Sequence, residues 1–126
     1  MVDIDGDGEE EYSAIQPFHG NGLGVYRADG SLQTIIKRNT NCQHSLWSGY
    51  VEGKPFYLSG GRRIDSDIYL GYWNQETESF EEYLIDSGNG SANIVVSAEG
   101  NKIEIIRTNN SLDEIAIYHL TFEKIA

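Results

Sequence analysis

The chain has 126 residues, with 20 Asp and Glu against 9 Lys and Arg and a formal net charge of -11. That balance repels phosphate backbones and anionic lipid surfaces, so neither nucleic acid nor a membrane surface is an expected partner. No apolar run reaches the roughly 18 to 20 residues of a membrane span and the N-terminus is acidic where a signal peptide is basic and then apolar, so a soluble protein is expected, its compartment undetermined. Cys42 is the one cysteine, which excludes an intrachain disulfide, and beyond His44 it has no neighbour to activate it as a nucleophile.

Fourteen glycines, two prolines and eight tyrosines among many Ile and Val residues favour short strands joined by tight turns, and no stretch carries a helical stripe. The class expected is all-β in a single domain, long enough to bury a core without staples.

The first element is an acidic loop, Asp3-Ile4-Asp5-Gly6-Asp7-Gly8-Glu9-Glu10-Glu11. Carboxylates at loop positions 1, 3, 5 and 9, with Gly8 where the backbone must turn, suit a hard cation that takes six to eight oxygens. Asp3, Asp5, Asp7 and Glu11 would converge, and the Glu9 carbonyl would fill a further vertex. An EF-hand would place Glu at position 12, where Ala14 stands, and the following residues read as strand. The plain alternative is a solvated acidic turn. No open coordination position or activated-water partner is evident, so a calcium ion here would rigidify a turn.

Alternation and turn residues place strands near 11–18, 23–28, 32–37, 46–52, 55–60, 67–73, 80–85, 93–98, 102–107 and 114–123. Tight turns are expected at Asp29-Gly30, Glu52-Gly53 and Glu99-Gly100. Tyr26, Tyr72 and Tyr118 stand 46 residues apart, each inside a strand-like run, and they read as repeat core. A period in the forties with strands in each unit is the signature of propeller blades. The units run approximately over 1–43, 44–90 and 91–126. The middle one has four strands, the first lacks its innermost strand and the last its outermost.

About three blades cannot close a ring, since propellers have at least four. The chain is therefore expected to be a fragment, to self-associate as a homo-oligomer, or to form an open stack, because exposed edges and apolar faces invite pairing.

In an antiparallel meander alternate connections emerge at the same end. The calcium turn, Glu52-Gly53 and Glu99-Gly100 share one end. The other collects His19, Arg62, Arg63, Asn109 and the segments Asn41 to Trp47 and Asn89 to Asn93, side chains of the kind that bind sugars or carboxylates. His44 either opens an innermost strand and bonds a neighbouring backbone or contacts a ligand or metal. Trp47 is blade core or a stacking surface. Arg62 and Arg63 form a salt bridge to Asp65, Asp67 or Asp113 or an anion site, and Asn93 and Asn109 either satisfy strand ends or orient hydroxyls. His19 and His119 read as surface or packing residues.

The acidic loop followed by a strand resembles the calcium loops of FG-GAP and VCBS-type propeller repeats. Asn41 to Gly49, Gly53-Lys54-Pro55, Gly60 to Arg63, Asp86 to Asn93, Thr108-Asn109-Asn110 and Asp113 to Tyr118 resemble the propeller portion of aldos-2-ulose dehydratase-like proteins. That resemblance covers about residues 40 to 120. It implies a sugar-related role, with a metal-assisted lyase activity in the namesake, and singles out His44, Trp47, Arg62, Asn93, Asn109 and Glu114. Two readings follow: a calcium-stabilised module binding carbohydrate or a protein partner, and a sugar-processing enzyme. In the second, His44 is general base or metal ligand, Arg62 grips an oxyanion, and Glu114 is a further catalytic candidate.

Overall fold

A computed structural model describes residues 2–16, 22–37, 43–61, 67–87, 93–109 and 114–123, with backbone alone for Gln16, Lys37, Gln43 and Asn109. It is all-β. The strands are β1 (Tyr12–Gln16), β2 (Gly22–Tyr26), β3 (Leu32–Lys37), β4 (Gln43–Val51), β5 (Lys54–Gly61), β6 (Ile68–Asn74), β7 (Ser79–Asp86), β8 (Asn93–Glu99), β9 (Lys102–Asn109) and β10 (Glu114–Thr121). Each expected strand forms. They make three antiparallel meanders: sheet I is β1-β2-β3, sheet II is β4-β5-β6-β7 and sheet III is β8-β9-β10. Among the described residues the sheets do not close into a barrel or ring. A single bridge, Val2 to Glu11, stands on the β1 side of sheet I where sheet II has β4.

The turns follow from residues that tolerate a left-handed backbone. Glu52 and Gly53 both have positive φ, 51° and 78°, the combination a two-residue hairpin needs to match strand twist. At β8-β9 the pairing of Glu99 with Lys102 puts Gly100 and Asn101 in the turn, one residue later than the expected Glu99-Gly100.

That shift changes the repeat. Counting from the hairpins through the register, Gly24 opposite Ala14, Gly71 opposite Tyr57 and Tyr118 opposite Ile105 are equivalent. The structural period is thus 47, and the 46-residue tyrosine spacing slips by one residue at each step. Since side chains alternate faces, a one-residue slip reverses the face. Tyr72 and Tyr118 meet from opposite sheets in one core, whereas Tyr26 lies on the outer face of sheet I, so the three tyrosines are not equivalent core positions.

Two cores hold the sheets together. Between sheets II and III, Val51, Phe56, Leu58, Ile68 and Leu70 pack with Ile103 and Ile105, with Trp47, Tyr72, Ile94, Val96, Tyr118 and Leu120 against them. Between sheets I and II, Leu23 and Val25 join Tyr57, with Ile36, Leu46 and Phe80 around them. Val2 and Ile4, which bracket the start of the acidic loop, are buried in this second core. The nearest approaches between sheets are β1 to β4 and β4 to β8. The sheets therefore lean together at their early strands.

Candidate metal centre

The acidic loop is built from the core outward. The amide of Glu11 donates to the Val2 carbonyl at 2.8 Å, closing the loop at its base. Buried Ile4 anchors its floor, and Gly6 and Gly8, at φ 74° and 98°, make the turns a side chain would strain. Within this frame Asp3, Asp5, Asp7 and Glu11 each present one carboxylate oxygen, and these oxygens lie within 4.8 Å of one another.

The loop's own amides orient those carboxylates. Asp3 accepts from the amides of Asp7 (3.0 Å) and Gly8 (2.9 Å), Asp5 accepts from Asp7 (3.2 Å), and Asp7 accepts from Glu9 (2.8 Å). Glu9 thus supports the loop through its backbone. Glu11 accepts from the Ile4 amide at 2.8 Å and is only 3% exposed. Burial pushes its carboxyl above the ordinary range; the Ile4 hydrogen bond opposes this, and the charges of Asp5, Asp7 and Asp3 add to it.

Neighbouring elements hold the loop from outside. The Tyr50 hydroxyl on β4 accepts from the Asp3 amide at 2.9 Å, Gln75 in the β6-β7 turn donates to the Asp5 carbonyl at 2.6 Å, and Gln33 on β3 donates to the Asp5 carboxylate at 2.8 Å. The Gln33 amide oxygen is buried without a hydrogen-bond partner among the described residues. Sequence reading missed these three supports. Sorting connections by end puts the β6-β7 turn beside the acidic loop, so the signal for Gln75 was present.

The donor set suits a hard divalent cation: oxygen only, four carboxylates, no sulfur or imidazole. Packing four acids this closely without a cation is electrostatically unfavourable, and a bound cation relieves both that repulsion and the burial of Glu11.

At the opposite end of the strands stand His44 near the start of β4, Asn93 opening β8, Asn109 ending β9 and Glu114 opening β10. Arg62 and Arg63 lie outside the described residues, as does His19. Trp47 packs in the core between sheets II and III. Its indole also lies over Gly49, where an added Cβ would sit 2.4 Å from the ring. Asn93 is exposed.

Glu114 joins a cluster that sequence reading did not single out. Arg107 on β9 is 1% exposed; it donates to the Tyr118 hydroxyl at 2.6 Å and to Glu114 at 3.2 Å, and approaches Asp86 on β7 at 3.5 Å. Tyr118 in turn donates to Asp86 at 2.5 Å. Burial, reinforced by the Asp86 hydrogen bond, holds the Tyr118 phenol above its ordinary value, with Arg107 opposing. The cluster ties sheet III to sheet II. Its signal was the alternation Ile103, Ile105, Arg107, which sets the guanidinium on the buried face.

No protein-family model, curated protein or solved structure matches the chain.

Proposed function

We propose that the chain is a calcium-stabilised binding module of propeller type, presenting a carbohydrate-binding rim at the end opposite the metal loop. The observation that carries the calcium half is the convergence of Asp3, Asp5, Asp7 and Glu11 on a loop bonded to both sheet I and sheet II. An ion there fixes the junction of two sheets, which is a structural role. Three consecutive antiparallel sheets, each leaning on the next along its early strands, support the propeller reading. The carbohydrate half rests on the polar strand ends of His44, Asn93 and Asn109 and on the resemblance to sugar-related propellers. The sugar-processing reading has three described carboxylates at that rim: Tyr69 engages Asp67, and Arg107 engages Asp86 and Glu114.

Calcium titration by calorimetry, with thermal unfolding in parallel, tests the reading. Binding below about 1 mM is expected. At a hundredfold excess over Kd the ion adds about 2.7 kcal/mol to stability, and Asp5→Asn weakens both effects. Heat and melting curves indifferent to calcium and to EDTA would remove the metal. A glycan array probed with the calcium-loaded protein tests the rim, and silence there leaves a protein ligand.

A further inference from the structure

Three cross-strand rows of apolar side chains run through the molecule. In sheet I the row is Ile15–Leu23–Ile36, in sheet II Trp47–Leu58–Leu70 and in sheet III Val95–Ile106–Ile117. By the 47-residue structural period Leu23, Leu70 and Ile117 are equivalent, each on the strand paired with the middle of its hairpin. The first row packs on sheet II, meeting Tyr57, Leu46 and Phe80. The second packs on sheet III, meeting Ile94, Val96, Ile105 and Tyr118. Both junctions have the same polarity: the row face of one sheet meets the opposite face of the next.

Among the described residues the third row has no receiver. Leu58 is 0% and Leu70 4% exposed, but Val95 is 65% and Ile117 56% exposed, with Ile115 also exposed beside them. At the other end of the stack the receiving face of sheet I also presents exposed apolar side chains with no partner sheet among the described residues. It carries Tyr12, Tyr26, Leu32 and Ile35 around Gly24, and Tyr12, Leu32 and Ile35 are exposed. Among the described residues each molecule thus has one unmatched row and one unmatched receiver of the kinds that mate twice within the chain. A second copy supplies both at once.

We infer that the outer face of sheet III docks on the outer face of sheet I of a second copy, head to tail, so that two chains form a ring of six sheets. A heterologous contact closes a ring when its rotation permits, and six blades lie within the range that closes. The pairing of faces continues a junction already present twice in the fold. Ring closure rests on the propeller reading above.

Sedimentation velocity of the full chain in calcium tests this with two substitutions at exposed sites, Ile117→Lys on the row and Ile35→Glu on the receiver, far-UV circular dichroism checking that both fold. The expected species is a dimer of the 14.1 kDa chain. Each variant alone is expected to be monomeric. Mixed, they are expected to form a dimer again, because one junction joins two native faces and the other sets the introduced ammonium against the introduced carboxylate. A monomeric native chain overturns the pairing and leaves the propeller reading standing. A dimer lost in one variant but kept in the other shows a symmetric interface and also overturns it. A ladder of larger species abolished by both variants keeps the pairing but overturns closure, and with it the propeller reading.

Discussion

Glu11 is an acid buried beside three others, with its pKa raised mainly by burial. A carboxyl whose folded pKa lies above its unfolded value favours the fold most at low pH, and loses that contribution as pH rises through the folded pKa. Without calcium, acidification from neutral pH towards that raised value is therefore expected to strengthen Glu11's contribution to stability. With calcium the sign reverses, because the ion needs the ionised form and is released as protons return. Glu11→Gln separates the two: urea unfolding at pH 7 is expected to show a more stable calcium-free protein, since the amide still accepts from Ile4 without ionising. Calorimetry is expected to show calcium affinity about tenfold weaker or worse, a loss that even outer-shell changes reach. Arg107 makes the contrasting residue-scale case. Arg107→Ala is expected to cost about 3 kcal/mol in urea unfolding, because it strips a fully buried cation from Asp86 and Glu114. Glu114→Gln, at a well-exposed partner, is expected to cost less than about 1 kcal/mol.

At the scale of elements, hairpin chemistry and glycine cover decide the register. Tyr57 lies across Gly71 on the neighbouring strand, so closely that an added Cβ would stand 2.0 Å from the ring. Gly71→Ala is expected to displace the ring, break the Tyr57 hydroxyl's 2.7 Å hydrogen bond to Glu82 and cost about 1–3 kcal/mol, read from the midpoint of chemical unfolding. The strands themselves were legible, since alternating Ile, Val and Tyr residues between glycine-containing turns locate each one. The order of their faces was harder to read. Three tyrosines at equal spacing looked equivalent, but the extra residue that places Gly100 and Asn101 in the third hairpin turns Tyr118 to the face opposite Tyr72. Equal spacing in sequence reports equivalence only when each turn falls at the same place in the repeat and each connection has the same length; here the two-residue turn falls one residue late and the β9-β10 connection is one residue shorter than β5-β6. The acidic cluster was legible because its four carboxylates are local in the chain. Arg107 reaches Asp86 across sheets and Gln33 reaches Asp5 across strands at a separation of 28 residues, contacts that pattern alone does not connect.

For the whole molecule, the acidic loop joins one sheet to the next. Its carboxylates follow the bridge at the base of sheet I, while Tyr50 and Gln75 reach it from sheet II. Sheet III makes no described hydrogen bond to the loop, and its attachment to sheet II runs through a separate apolar core and the Arg107 cluster. If calcium fixes the first junction only, chelation should loosen the molecule unevenly, because local opening follows the elements that lose their restraints. Hydrogen exchange followed by mass spectrometry, with calcium and then with EDTA, is expected to show protection falling across 2–16 and 22–37. The segment 102–109, two sheets away, should change little. Uniform loss over all three sheets would mean that the loop governs global stability. No change in sheet I would mean that its apolar contacts with Tyr57, Leu46 and Phe80 hold the junction without the ion.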